Sequence, residues 1–196
     1  MDLKKLCDKE IYSNKDIPID IAKDILNFAE SGFKESKTSK KVANLFKSLG
    51  QKKIETEIAL TGLKTTLDTG KEGPNIAVIG ELDGLSVPGH PFENKENGYA
   101  HACGHHAQIG SIFTVFMGLS SINILNNLCG KITFMAVPAE EFVEIEWRNK
   151  LRKNGQIEFL AGKQEMIKDG YFDDVDIAMM TPVSYTHLTL PTIYSV

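Results

Sequence analysis

Apolar residues near the start of the chain recur with the spacing of an α-helix. Residues 19–29 and 40–49 each place apolar side chains three or four positions apart, which aligns them on one helical face. Two shorter runs, residues 54–60 and 63–67, are compatible with β-strands and are broken by the Thr-Gly pair at 61–62. The pattern therefore predicts two early helices followed by an edge hairpin.

The middle of the chain contains a continuous apolar run at residues 75–80, typical of a strand that is covered on both faces. Later apolar runs suit two helices and two further strands. The helices are predicted at 109–119 and 160–169, and the strands at 131–137 and 175–180. Because strands and helices alternate, we expect a three-layer α/β fold whose ligands gather at the carboxyl ends of the strands.

Length and composition fit one globular domain with a substantial core, since 42% of the 196 residues are hydrophobic. The net charge is −4, and lysine and arginine are scattered among acids, which argues against nucleic acid or an anionic membrane as a partner. No run resembles a signal peptide or a membrane span. The three cysteines have no secretory context. We therefore expect a cytoplasmic protein without disulfides that acts on a small molecule.

Side chains suited to metal chemistry gather in short segments. Cys103 and His105 flank a glycine and can reach one divalent ion or two neighbouring ions, because glycine allows a tight turn. Glu140 and Glu141 follow a predicted core strand, so one carboxylate can bind metal while the other transfers protons. Asp83 follows another core strand, where it is placed to orient a ligand imidazole. The combination indicates a hydrolytic metal site.

Each of these residue types also has an ordinary structural interpretation. A lone cysteine is most often a small buried hydrophobe, paired glutamates often begin a helix, and a strand-ending aspartate can be a loop or cap residue. His101 and His106 are each more often structural than ligating, and the role of Glu81 stays ambiguous. His90 and the acids at 173–176 are predicted to lie in loops outside the site.

Four short segments occur in a recognisable order along the chain. Residues 30–35 (Glu-Ser-Gly-Phe-Lys-Glu) precede 81–85 (Glu-Leu-Asp-Gly-Leu), 101–105 (His-Ala-Cys-Gly-His) and 137–141 (Val-Pro-Ala-Glu-Glu). In this order they resemble metallopeptidase family twenty, specifically its amidohydrolase branch of aminoacylases, aminoacyl-conjugate hydrolases and dipeptidases. The similarity extends from about residue 21 to residue 181.

The resemblance implies a role for each residue of the candidate site. Cys103, His105 and Glu141 would be metal ligands, Glu140 the general acid/base, and Asp83 a supporting acid. Family members commonly hold two divalent metal ions, of which zinc is favoured by a thiolate ligand, with manganese or cobalt in some amidohydrolases. The implied reaction is metal-assisted hydrolysis of amide bonds in N-acyl amino acids, aminoacyl conjugates or dipeptides.

The resemblance also implies a larger architecture than this chain contains. The family's zinc-peptidase-like catalytic domain carries a smaller domain that mediates dimerisation and closes over substrate. We expect residues 1–181 to be the N-terminal portion of the catalytic domain, without that lid domain, and residues 182–196 to be a non-native tail. The family expects a ligand histidine shortly after the acids at 173–176, but the chain continues to Pro182. The fragment is therefore expected to be inactive, and the full-length protein to be a homodimer.

Other departures from the family concern the neighbourhood of the site. His106 stands where many relatives have aspartate, Gln108 stands where they have a second histidine, and residues 142–147 replace a glycine-rich stretch. These changes motivate the alternative of a noncatalytic metal- or substrate-binding relative. A nucleophilic thiol at Cys103 is the weaker chemical alternative, because no separate base is evident.

Overall fold

The computed structural model describes residues 2–181, and the expected non-native tail at 182–196 lies outside them. The helices are α1 (Leu3–Ser13), α2 (Asp16–Leu26), α3 (Ser36–Ser48), α4 (His105–Leu119), α5 (Ile122–Leu125), α6 (Ile145–Lys153) and α7 (Gly162–Lys168). The strands are β1 (Ile54–Ile58), β2 (Gly62–Asp68), β3 (Asn75–Glu81), β4 (Leu85–Ser86), β5 (Tyr99–Ala100), β6 (Lys131–Val137) and β7 (Ile177–Met180).

A five-stranded mixed sheet has the order β1-β2-β6-β3-β7, and β4 pairs with β5 in a separate two-stranded sheet. The central strand β6 is antiparallel to β2 and parallel to β3, and β3 is in turn parallel to β7. The predicted hairpin is confirmed as β1 and β2, with β1 at the edge of the sheet. Because β3 and β6 run in parallel, their carboxyl ends lie side by side.

The main hydrophobic core lies between one face of the sheet and helices α2, α3 and α4. Alternate residues of β6, among them Phe134, point toward this face. The ring of Phe46 on α3 lies 4.5 Å from the ring of Phe113 on α4 and 5.8 Å from that of Phe134, measured between centroids. Each such side chain contributes about 1.5–3 kcal/mol on full burial. This packing fixes α4 across the strands that lead to the candidate site.

The intervening residues of β6 face the other side of the sheet. Met135 and Val137 pack there with Ala77 and Ile79 of β3 and with Met166 of α7. Helices therefore cover both faces, and the predicted three-layer α/β fold is confirmed. The continuous apolar character of the β3 and β6 sequences follows from this burial on both faces.

The predicted helices and strands are found with shifted ends, and the structure adds α1, α5, α6, β4 and β5. The helix predicted at 19–29 begins earlier as α2, since Pro18 lies in the first turn, where the backbone N–H has no helical acceptor. Helix α1 was absent from the prediction. Helix α6 lies in the charged segment that gave no apolar pattern, because only Arg148 of that helix is buried.

The last described strand, β7, pairs with β3 at the edge of the sheet. All residues of β7 are exposed within the described chain, although the strand was predicted from an apolar run. The acids before it are exposed as predicted, and two of them also join β7 to β3. Asn75 N–H donates to a carboxylate oxygen of Asp176 at 2.7 Å, and its side-chain amide donates to the carbonyl of Asp174 at 2.9 Å. Among residues 2–181, no helix combines the length and apolarity needed to cross a membrane.

Candidate metal centre

Acidic residues converge where β3 and β6 end. Glu81 is the last residue of β3 and pairs in register with Val137, the last residue of β6. The backbone N–H of Leu82 donates to the Val137 carbonyl at 2.9 Å, which continues the pairing beyond the strands. Glu140 follows three residues after Val137, so carboxylates from both strands reach the same edge of the sheet.

His105 begins α4 directly beside these acids. Gly104 precedes it with φ 83°, a left-handed conformation that glycine adopts without steric cost, and this turn directs the helix start toward β3. The His105 Nε2 lies 3.0 Å from Glu81 Oε2, and its Nδ1 lies 2.7 Å from the backbone oxygen of Asp83. Both His105 and Asp83 are buried. The imidazole is therefore held between two acids of the β3 end.

Three side chains offer donor atoms close enough for one cation. Glu81, His105 and Glu140 each contribute one atom, and these atoms lie within 4.8 Å of one another. The His105 Nε2 is 3.7 Å from Glu140 Oε2 and 3.8 Å from Glu141 Oε1. An imidazole with several carboxylates suits zinc and manganese. The residues present therefore fit a divalent metal ion.

Within residues 2–181, one lysine is in direct contact with the acids of this centre. Lys163 Nζ lies 2.5 Å from Glu81 Oε1. Burial alone would raise the pKa of Glu81, but hydrogen bonds and charge from His105 and Lys163 outweigh it and lower this pKa to about 2. Glu81 is thus ionised throughout the physiological pH range.

A proton on His105 offsets much of the remaining negative charge. Burial disfavours the imidazolium, but Asp83 and Glu81 raise the pKa of His105 to about 10. A metal held by Nε2 would take the place of the proton there, so His105 would bind metal in its neutral form.

Cys103 lies beside the paired glutamates. Burial, a hydrogen bond to Glu141 and the negative charges of Glu141, Glu140 and Asp83 raise the pKa of the Cys103 thiol to about 12. A free thiolate is therefore strongly disfavoured without a neighbouring cation. The raised pKa of Cys103 argues against the nucleophilic interpretation, and its role as a metal ligand stays a prediction.

The paired glutamates differ in their contacts. Burial, with the charges of Glu81 and Glu141, raises the pKa of Glu140. The backbone N–H of Glu141 donates to Asp83 Oδ2 at 2.9 Å, which ties the β6 end to the β3 end. Glu140 therefore holds a proton more readily than an exposed glutamate does, and its role as general acid/base stays a prediction.

The structure brings all the sequence-predicted site residues into one region. The donor atoms that lie closest to one another, however, come from a different set of residues. Asp83, His105, Glu140 and Glu141 make the contacts described above, and Cys103 lies next to Glu141. Within residues 2–181, however, the group of mutually close donor atoms contains Glu81 and neither Cys103 nor Glu141. The ligand set implied by the family resemblance thus stays a prediction.

The sequence alone leaves the role of Glu81 ambiguous and gives no indication of Lys163. The available signal for Glu81 was its spacing from Asp83, because positions two apart share one side of an extended strand. Lys163 has no comparable signal in the sequence. It comes from α7, which packs on the face of the sheet opposite to α4.

Among the residues that depart from the family, Gln108 makes a hydrogen bond that supports the end of β3. Gln108 is buried, and its Oε1 accepts a 2.9 Å hydrogen bond from the Glu81 backbone N–H. His101 is also buried, with its ring 5.7 Å from that of His106, and burial together with the charges of His106 and His105 lowers its pKa to about 3. His90 accepts a hydrogen bond from the Phe92 N–H in an outer loop, as predicted.

Curated relatives include enzymes named for amide chemistry. The N-acetyldiaminopimelate deacetylase of Bacillus pumilus is 31% identical over 131 residues, which are 65% of this chain and 34% of the relative. An amidohydrolase of Bacillus subtilis is 24% identical over 182 residues, 91% of this chain and 41% of the relative. The chain thus spans about a third to two fifths of the length of these proteins.

Solved structures share the fold, and the family assignment follows from the sequence match. A protein described as an aminohydrolase from methicillin-resistant Staphylococcus aureus superposes with a TM-score of 0.72 at 26% identity, covering 89% of this chain and 41% of that one. A Bacillus subtilis protein described as a dinuclear metal-binding peptidase of the M20 family gives 0.65 at 24% identity, covering 82% and 41%. The pattern of Peptidase family M20/M25/M40 matches residues 77–183, more than half of the chain, and the chain therefore belongs to this family.

Proposed function

We propose that the protein containing this chain is a metal-dependent hydrolase of amide bonds in N-acyl amino acids, aminoacyl conjugates or dipeptides. The observation that carries the proposal is the group formed by Glu81, His105 and Glu140, whose donor atoms lie within 4.8 Å of one another. Cys103 and Glu141 border this group. The deacetylase and amidohydrolase names of the relatives support the amide class of substrate.

The metal would be held by Cys103, His105 and Glu141, with Glu81 and Glu140 beside it. We propose two divalent ions, supported by the dinuclear metal-binding description of one structural relative. A thiolate ligand favours zinc, and manganese or cobalt would suit the carboxylates and imidazole. Bound metal of this kind supplies a lowered water pKa and a polarised substrate carbonyl.

The chain's own residues would then orient groups and move protons. Glu140 would accept a proton from the attacking water and return it to the leaving amine, which its raised pKa suits. The Asp83 backbone oxygen would hold His105 with Nδ1 protonated, so that Nε2 faces the centre. No covalent intermediate on the protein is needed.

Turnover, substrate choice and a homodimeric state are proposed for the whole protein. This chain corresponds to 34% of the deacetylase and 41% of the amidohydrolase, so we expect residues 1–196 alone to bind metal but hydrolyse N-acyl amino acids poorly. Strong metal-dependent turnover by residues 1–196 would contradict that expectation.

The decisive experiment replaces Glu140 by Gln in the complete gene product and measures zinc content and hydrolysis of an N-acetyl amino acid panel. Glu140→Gln should keep the metal and lose turnover by about 100-fold or more, since general acid/base catalysis contributes factors of about 10²–10⁴. The matched control is Glu146→Gln, an exposed glutamate on α6. Normal rates in Glu140→Gln would show that another group transfers the proton.

A second candidate function is a noncatalytic metal- or substrate-binding relative. The observation that favours it is Gln108, which bonds to the Glu81 backbone where many family members have a histidine. This alternative would be supported if the complete gene product bound a stoichiometric amount of metal but hydrolysed no amide in the panel.

A further inference from the structure

Ala139, the residue before Glu140, has a backbone conformation that alanine rarely adopts. Its φ is 51°, in the left-handed region where a β-carbon approaches the following carbonyl oxygen. This conformation is unfavourable for an L-residue other than glycine. Surrounding contacts must hold the residue there, and such local strain is concentrated at functional sites.

Ala139 is held by contacts with three separate parts of the chain. Its backbone N–H donates to a carboxylate oxygen of Glu35 at 2.7 Å, and its carbonyl accepts from the Gly162 N–H at 3.3 Å. Gly32 packs directly against it, since a β-carbon at Gly32 would lie 2.7 Å from the Ala139 α-carbon. Of these three contacts, Glu35 supplies the only side-chain hydrogen bond.

Glu35 is a buried carboxyl that takes no direct part in the proposed chemistry. It is 0% exposed, and its second oxygen accepts a hydrogen bond from the Thr61 hydroxyl at 2.6 Å. Burial and the charge of Asp83 raise its pKa to about 8. A buried ionisable group is costly unless its polar atoms are used, and here both oxygens have a donor.

We infer that Glu35 is a positioning residue for Glu140, because it fixes the left-handed turn at Ala139 from which the Glu140 side chain projects into the metal centre. The inference rests on the proposed function, in which Glu140 is the acid/base. Glu35 acts through the backbone and does not contact the reacting groups.

The test compares Glu35→Ala with Glu35→Gln in the complete gene product loaded with zinc. Glu35→Ala removes the acceptor and should lower kcat about 10- to 100-fold, with KM changed less than about threefold, because only the placement of the base is lost. Glu35→Gln keeps an amide oxygen for the Ala139 N–H and should recover most of kcat. The control is Glu55→Ala, an exposed residue of β1, with unchanged kcat.

Rescue at Ala139 separates positioning from a general loss of structure. Glycine adopts φ near +50° without steric cost, so Ala139→Gly combined with Glu35→Ala should restore part of kcat. If Glu35→Ala does not fold, Thr61→Val removes one partner of the carboxyl and should lower kcat several-fold. Unchanged kcat in folded Glu35→Ala, equal losses in the Gln and Ala variants, or unchanged kcat in Thr61→Val would overturn the inference.

A measurement without turnover separates this inference from the proposed function. Hydrogen exchange of the Ala139 amide, followed by NMR on residues 1–196, should be slow in the wild type and at least about tenfold faster in Glu35→Ala. Equal exchange rates would overturn the positioning role, whatever reaction the protein catalyses. The protein could instead hydrolyse no amide substrate while exchange of the Ala139 amide is slow in the wild type and faster in Glu35→Ala. That result would count against the proposed function alone.

Discussion

The Nδ1 atom of His105 lies 2.7 Å from the backbone oxygen of Asp83. A carbonyl oxygen can only accept a hydrogen bond, so Nδ1 must carry the hydrogen and Nε2 is the nitrogen left to bind a metal. The Asp83 carboxylate lies near the same ring nitrogen at 3.3 Å and also accepts the Glu141 N–H. One aspartate thus orients His105 and ties the two strand ends of the centre together.

Asp83→Ala should therefore weaken zinc binding to residues 1–196 about 10- to 100-fold, the usual effect of removing a residue that supports a ligand imidazole. Competition with a chromophoric chelator measures the affinity. The control is Asp68→Ala, an exposed aspartate that ends β2. Zinc affinity equal to that of the wild type would show that the backbone oxygen alone orients His105.

Much of the fold follows from sequence pattern because the central elements are apolar on both sides. Strand β6 matches the predicted residues 131–137, and the helix predicted at 109–119 lies within α4. The order of acid, Cys-Gly-His and paired glutamates was sufficient to place Asp83, Cys103 and Glu140 in one region. These signals are local in sequence. The residues come close together in space because β3 and β6 run parallel and end at the same edge of the sheet.

The polar contacts that support the site could not be predicted in this way. Glu35 and Ala139 are 104 positions apart, and Lys163 reaches Glu81 from a different layer of the fold. Charged side chains that become buried carry no periodic signal, because their burial depends on partners brought together by the tertiary structure. The same reason explains why helix α6, with its single buried Arg148, gave no pattern.

The second prediction concerns Gln108, which is buried beneath the β3 end. Gln108→Leu should destabilise residues 1–196 by about 1–3 kcal/mol, because the Glu81 backbone N–H loses its acceptor in a buried environment. Urea unfolding followed by circular dichroism measures the change. Gln164→Leu, at an exposed position of α7, is the matched control and should be nearly neutral. Equal stabilities of the two variants would contradict the structural role given to Gln108.

The third prediction concerns Arg148, which is 0% exposed and packs its guanidinium 5.3 Å from the Phe33 ring centroid. Its Nη1 donates to the Leu160 carbonyl at 2.8 Å, while Nε and Nη2 have no hydrogen-bond partner among residues 2–181. The charges of Asp83, Glu35 and Glu144 favour the ionised guanidinium, but with two of its donor atoms unpaired there we expect the side chain to contribute chiefly by filling space.

Arg148→Ala should lower the free energy of unfolding by about 2–4 kcal/mol through the cavity it leaves, and Arg148→Met should recover at least half of that loss. Arg152→Ala, an exposed arginine of the same helix, serves as the control. Chemical denaturation gives all three values. If Arg148→Met were as destabilised as Arg148→Ala, the charge of Arg148 and not its volume would support the fold.

The fourth prediction follows from the raised pKa of Glu35, which is about 8 in the folded protein against an ordinary value of 4.5. Between these two pKa values the folded state holds a proton on Glu35 that the unfolded state has released. Stability must then fall as pH rises, since the native state binds more protons.

Glu35→Gln removes this titration and keeps an acceptor for the Ala139 N–H. The variant should therefore gain stability relative to the wild type as pH rises from about 5 to about 8, by at most roughly 1.4 kcal/mol per pH unit, with a constant difference above pH 8. Urea unfolding in the presence of chelator at several pH values measures the difference, and Glu55→Gln is the control. A difference independent of pH would mean that folding does not raise the pKa of Glu35.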